Sequence, residues 1–208
     1  MIIRAKHHVF IYPFFRWYSR RIINRHFEQV VLKGEFLDQR KSVLLVSNHV
    51  SWWDGFWAMY LNLEIFKRKF HFMMLKNQLL KYWYFNYSGG YSIEPDSRSA
   101  LESIDYTAGL LSNSGNLVLI FPQGKLESMH RQNFTFRKGI ERILERTGKE
   151  TIQIVFLVNI TEYLSKQKPT LYQYIEEYSG AGTSVSEIQE HYNVFCRSCF
   201  EHHLKMEE

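Results

Sequence analysis

Asn48 and His49 follow an apolar run at residues 43–47, and Asp54 stands five residues beyond the histidine in SNHVSWWD. On a continuous helix, five steps of about 100° would set the His49 and Asp54 side chains about 140° apart, on different faces. If a strand ends near His49 and a helix begins near Asp54, the carboxylate can reach a ring nitrogen. It then fixes the tautomer and stabilises the imidazolium that forms when His49 accepts a proton. With no serine or cysteine in evidence as a nucleophile, such a pair suits direct activation of an external hydroxyl or amine. The plainer alternative is a histidine capping a helix, with an aspartate in its first turn.

The elements that must position this pair follow from the apolar pattern. Residues 43–47, 70–75, 91–93, 116–121 and 152–158 read as strands, and residues 52–66, 77–84, 99–111 and 136–146 read as helices. Their alternation predicts an α/β fold with a mixed, mostly parallel sheet flanked by helices. Carboxyl ends of strands are where open α/β sheets build their sites, and the first of these strands ends at Asn48 and His49. Ser184 and Glu187 form a capping-box pattern that opens a helix running to about residue 205. Residues 170–178 alternate weakly and read as an edge strand.

The 208-residue length is enough to bury roughly 70% of the unfolded surface in one core without disulfide staples. With 45% hydrophobic residues and only four prolines, disordered, collagen-like and disulfide-scaffold classes are excluded. The net charge of +5 is concentrated at the start of the chain. Residues 1–33 hold Arg4, Lys6, Arg16, Arg20, Arg21, Arg25 and Lys33 against Glu28, leaving 19 of the 26 cations against 20 of the 21 acids elsewhere. Phe10, Phe14, Phe15, Trp17 and Tyr18 are interleaved with those cations. The charges interrupt the segment too often for a membrane span, and it lacks the apolar stretch and cleavage site of a secretory signal. It reads as an N-terminal amphipathic interfacial helix with cations toward anionic lipid, or as a helix packed on the domain with snorkelling arginines. The expected division is a membrane-associating helix at 1–33 and an α/β domain at 34–208, peripheral on the cytoplasmic face of a membrane. No groove-reading or RNA-binding motif accompanies the basic segment, so nucleic acid is not an expected partner.

Further along, Phe121, Pro122 and Gly124 stand in FPQGK, and FRKG occupies residues 136–139. With Asn48, His49, Ser51 and Asp54 matching NHxSxxD in full, the chain resembles the glycerolipid acyltransferase family, the PlsC-type, lysophosphatidate acyltransferase-like proteins. Its motifs are NHxSxxD, FPEGT and F-K-K-G in that order, and the agreement spans about residues 30–160. The resemblance implies an acyltransferase-like fold and acyl transfer from a thioester, acyl-CoA or acyl-carrier protein, to a hydroxyl of a lipid-like acceptor. His49 would be the general base and Asp54 its orienter. Asn48, Ser51, Arg98, Phe121, Pro122, Gln123, Gly124 and Lys125 would form the substrate-binding set. Neither a metal nor a cofactor other than the donor substrate is implied, and the oligomeric state is left open.

Three departures bear on the acceptor. The family's motif after its central glycine ends in an arginine thought to hold phosphate, whereas GGYSIEPDSR places Pro95 or Asp96 there. Arg98 either replaces that arginine through a wider turn or is a solvated residue at the next helix. Gln123 stands where the family has a carboxylate, keeping hydrogen-bonding capacity without charge, and Lys125 and Leu126 replace Thr and Arg. The last family motif appears as IQIVFLV, without its proline. Acceptors in view are lysophosphatidate, another lysolipid, an amino-acid lipid or a hydroxylated pigment. The competing function is a non-catalytic lipid-binding relative.

His191, Cys196, Cys199, His202 and His203 cluster near the C-terminus. A single CxxC without a second ligand pair reads as reduced cysteines on a helix rather than a zinc site. Trp52, Trp53, Phe56 and Trp57 read as core or as the lining of an acyl channel. Residues 77–84 offer a second surface for membrane contact.

Overall fold

The computed structural model describes residues 1–95, 97–180 and 182–205. In chain order its elements are α1 (Ile11–His26), β1 (Val30–Lys33), β2 (Ser42–Ser47), α2 (Asp54–Leu61), β3 (Lys69–Leu75), α3 (Lys76–Lys81), β4 (Gly90–Ile93), α4 (Ser99–Leu111), β5 (Asn116–Ile120), α5 (Gly139–Thr147), β6 (Ile152–Glu162), β7 (Thr170–Glu177) and α6 (Val185–His203). A π-helical turn, Asn62–Phe66, extends α2, and a 3₁₀ turn, Trp83–Phe85, follows α3.

The strands form one sheet in the order β1-β7-β6-β2-β5-β3-β4, antiparallel between β6 and β7 and parallel at every other pairing. All six residues of β2 are buried, as expected of a central strand covered on both faces. Their alternation sorts them between two layers. Leu44 and Val46 pack with Ile104, Ile143, Tyr192 and other residues of α4, α5 and α6. Val43 and Leu45 pack with Ala58, Met59 and Leu61 of α2. The result is the predicted mixed, mostly parallel sheet flanked by helices.

The expectations for two segments are corrected. Residues 170–178 are not an edge strand, because β7 lies between β6 and β1. The edge is β1, which pairs parallel to β7 from Val30↔Leu171 to Lys33↔Tyr174. Its four residues carry too short an apolar pattern to separate from the basic segment before them. The helix of residues 1–33 accordingly covers only Ile11–His26. Residues ahead of it run beside β4, where Ser92 N–H donates to Ile3 O (2.9 Å) and Lys6 N–H to Asn86 O (2.9 Å). At about 1.5 Å per residue, the 16 residues of α1 span about 24 Å and carry the chain from the β4 side of the sheet to β1.

The helix predicted from residue 136 begins at Gly139. Phe136 and Arg137 spend their backbone N–H groups elsewhere, on Gln189 Oε1 (2.7 Å) and Pro122 O (2.9 Å). At the other end of the chain, the N-cap half of the expected capping box forms, with Ser184 Oγ accepting from Glu187 N–H (3.3 Å), while the Glu187 carboxylate accepts Gly182 N–H (2.8 Å) and the Tyr178 hydroxyl (3.1 Å).

Candidate active site

β2 and β5 are parallel neighbours in the register Val46↔Ile120, so the turns beyond their carboxyl ends lie side by side. One turn carries Asn48 to Trp53 and the other carries Phe121 to Gly124. This register brings together motifs more than 70 positions apart in sequence.

In the first turn, His49 Nδ1 lies 2.7 Å from Asp54 Oδ2. The same oxygen accepts Val50 N–H (2.7 Å) and Ser51 N–H (3.0 Å). Asp54 opens α2, where the unpaired N–H groups of a helix N-terminus favour negative charge. The aspartate side chain is fully buried, and that burial raises its carboxyl above the ordinary aspartate range. The contact with His49 and the N–H groups of Ser51 and Val50 act in the opposite direction. Ser51 shapes the turn: its Oγ accepts Trp53 N–H (3.2 Å) and its carbonyl accepts Asp54 N–H (3.3 Å).

Asn48 faces inward and is 1% exposed. Its Oδ1 accepts Asn159 N–H (3.2 Å) from β6, and its Nδ2 donates to Asn159 O (3.4 Å). Asn159 in turn meets Ser47 Oγ through Nδ2 (3.4 Å) and Gln173 Nε2 through Oδ1 (3.0 Å). Asn48 therefore joins β2 to β6 behind the histidine. Asn159 and Gln173 were missed in the sequence because isolated polar residues inside strands carry no local signal of a shared network.

The second turn covers the histidine. The Phe121 ring lies parallel to the imidazole, and Gly124 N–H donates to Phe121 O (3.0 Å). Gly124 has φ +69°, which glycine adopts without strain, and a Cβ there would come within 2.8 Å of Arg137 Nε. Pro122 accepts Arg137 N–H and anchors the FRKG segment against this turn. Gln123 points inward and donates from Nε2 to His49 O (3.3 Å). Lys125 projects outward and pairs with Glu127 (3.2 Å), which also takes Arg131 (3.4 Å). Arg98 is exposed at the N-cap of α4 and does not line the cavity beside His49. Asp96 lies outside the described residues.

His49 opens onto a cavity of about 570 Å³. Trp52, Phe56, Phe72, Phe85, Phe121 and Ile143 are among its lining, which is mostly apolar with few polar groups. That composition and size suit a largely apolar ligand whose reactive end is fixed beside the histidine. Arg137 also lines it, although the sequence assigned no role to this residue within FRKG. Of the aromatic residues around the motif, Trp57 is core at 1% exposure, whereas Trp52 is 65% exposed at the cavity.

The C-terminal cysteines are turned into the core on α6, and burial pushes the Cys196 thiol up to about 12. Among the described residues no group of three or more His, Cys, Asp or Glu side chains is placed to hold a metal ion.

Residues 29–158 match the acyltransferase domain family. No curated protein matches the chain by sequence. Among solved structures, the chain is similar to the 1-acyl-sn-glycerophosphate acyltransferase PlsC from Thermotoga maritima. The TM-score is 0.63 at 17% identity, covering 94% of this chain and 81% of that one. The family match takes in His49, Asp54 and the turn from Phe121 to Lys125, and the chain belongs to the acyltransferase family.

Proposed function

We propose that this protein transfers a fatty acyl group from a thioester, acyl-CoA or acyl-carrier protein, to a hydroxyl of a lysolipid-like acceptor. The observation that carries this reading is the His49 Nδ1–Asp54 Oδ2 contact of 2.7 Å beside an apolar cavity. With Nδ1 committed to the carboxylate, Nε2 is the nitrogen left to take the acceptor's proton. The acceptor oxygen attacks the thioester carbonyl as its proton passes to His49. The tetrahedral intermediate then collapses, breaking the C–S bond, and the leaving thiolate recovers that proton. Asp54 stays ionised and stabilises the imidazolium between the two steps. The likeness to PlsC supports a lysophospholipid acceptor, and the apolar lining supports an acyl chain lying beside the reacting carbonyl.

Peripheral attachment to a membrane fits the same reading. No helix among the described residues is long and apolar enough to cross a bilayer, while exposed aromatic side chains of α1 lie near cations of the basic segment. The deciding experiment measures thiol release from acyl-CoA and acyl-carrier protein with a membrane lipid extract, for wild type and His49→Ala. Release that requires His49, with the acylated product identified by mass, supports the reading. A folded wild-type protein that binds lipid but releases no thiol from either donor would make it a lipid-binding relative.

A further inference from the structure

Two N–H groups from the turn after β5 converge on the main-chain carbonyl of His49. One is Gln123 Nε2 at 3.3 Å, and the other is the backbone N–H of Glu127 at 2.9 Å. The peptide group they hold is planar, and its opposite side is Val50 N–H, which donates to Asp54 Oδ2 at 2.7 Å. A single peptide plane is therefore gripped from both sides. The β5 turn holds its oxygen, and the aspartate that contacts the imidazole holds its nitrogen.

Gln123 is 4% exposed, and among the described residues its buried Oε1 has no hydrogen-bond partner. The bond its side chain makes among them is the donation to His49 O, which an ionised carboxylate cannot make. The negative charge of the turn instead sits at Glu127, whose side chain is 7% exposed and pairs through Oε1 with Lys125 and Arg131.

We propose that Gln123 is a positioning residue for His49, acting through the 49–50 peptide group rather than on substrate, and that this turn requires an amide at 123 because Glu127 already supplies its carboxylate. The inference rests on His49 being the general base. An ionised carboxylate at 123 would place oxygen against oxygen at the His49 carbonyl and add a second negative charge to a buried turn. The peptide plane would rotate, loosening the Asp54 contact and misdirecting the imidazole.

The test is Gln123→Glu, with Gln123→Met as an apolar replacement of similar length and thermal melts to confirm that each variant is folded. Gln123→Glu is expected to lower kcat roughly 10- to 100-fold, the scale of a small misplacement of a catalytic group. The KM values for donor and acceptor should stay within about twofold, as for an interaction that does not contact substrate. The ratio of variant to wild-type kcat should rise as pH falls, because a protonated Glu regains an O–H donor. For Gln123→Met the ratio should stay low at every pH. A raised acceptor KM with unchanged kcat would overturn the proposal and return Gln123 to the substrate-binding set. Wild-type kinetics in both variants would also overturn it.

A second readout does not depend on turnover: the low-field proton resonance of His49 Nδ1–H in wild type and Gln123→Glu. It should shift or broaden in the variant where the introduced carboxyl is ionised and recover as falling pH protonates it. An identical resonance in both proteins would overturn the proposal. If wild type releases no thiol, the acyltransfer reading fails and this resonance alone decides the role of Gln123.

Discussion

The imidazole of His49 lies flat on the ring of Phe121, with centroids 4.2 Å apart and planes 16° from parallel. The stack covers one face of the imidazole, so together with the Asp54 contact it limits rotation about the Cβ–Cγ bond. Phe121→Ala removes that cover without touching a hydrogen bond of the His49–Asp54 pair. The expected outcome is a folded protein with kcat lowered about tenfold or more, as for other losses of orientation. Wild-type turnover in this variant would show that the carboxylate alone sets the ring.

Asp54→Asn separates charge from geometry. His49 Nδ1, Val50 N–H and Ser51 N–H all meet Oδ2, while buried Oδ1 has no hydrogen-bond partner among the described residues. An asparagine oxygen can take the Oδ2 position and keep all three contacts and the tautomer, while the countercharge to the imidazolium is lost. kcat should fall ~10²- to 10⁴-fold, the range ascribed to general acid–base assistance. Turnover within tenfold of wild type would show that the charge on Asp54 is not what the reaction needs from it.

The approach of Asp54 to His49 was legible in the sequence because it is local, set by a strand end and a helix start, and the turn from Phe121 to Gly124 was legible through the family resemblance of FPQG. β1 and the inward turn of Gln123 were not. Both depend on a neighbour that the local pattern does not name, β7 for the four-residue strand and the His49 carbonyl for the amide. The same holds for Asn159, which is polar within an apolar strand and explained only by Asn48 and Gln173 across the sheet.

Asn159 is 0% exposed and bonds to Ser47, Asn48 and Gln173. Replacing it with alanine removes the bonds of its side chain to Ser47 and Gln173, while Gln173 Nε2 keeps Trp57 O and Ser47 Oγ keeps Asn48 O. At about 0.5–1.5 kcal/mol for each hydrogen bond lost, Asn159→Ala should destabilise the fold by about 1–3 kcal/mol. Urea denaturation should show a lower midpoint with an unchanged slope. A shift below 1 kcal/mol would mean that water fills the gap and restores the bonds.

His71, in β3, is 4% exposed, and burial lowers its pKa to about 3, with His7 and Lys69 adding to the shift. The unfolded chain binds this proton near pH 6.5 while the folded chain resists it. Between those values the unfolded state holds more protons, so stability rises with pH. The contribution is complete above about pH 6.5 and is lost as pH falls toward 3, with a slope of up to about 1.4 kcal/mol per pH unit. His71→Leu should flatten that part of a denaturant-stability profile between pH 6.5 and 4. A slope equal to wild type would place the acid sensitivity elsewhere.

Membrane attachment calls for a test that spares the fold. Deleting residues 1–33 would remove β1 from one edge of the sheet and the strand-like segment beside β4 at the other, so lost binding would not identify a lipid-contacting surface. The exposed rings offer a cleaner probe. Phe14, Trp17, Trp52 and Trp83 are each at least 50% exposed, and they belong to one chain of ring contacts. Trp17 meets Phe14, which meets Phe15, which stacks on Tyr84 beside Trp83. A second branch runs from Phe14 through Tyr18 and Phe56 to Trp52. Phe15, Trp52, Phe56 and Tyr84 also line the cavity, so the apolar surface is continuous with the route to His49. Nearby, Arg21 lies over Trp17 and Lys81 over Tyr82, placing cations where anionic headgroups would meet them. Trp17→Glu and Trp83→Glu should each weaken binding to anionic vesicles at least about tenfold and leave thermal stability within error, since each removes apolar burial worth more than about 1.4 kcal/mol. If Trp17→Glu weakens binding and Trp83→Glu does not, the footprint is α1 alone and the cavity stands off the bilayer.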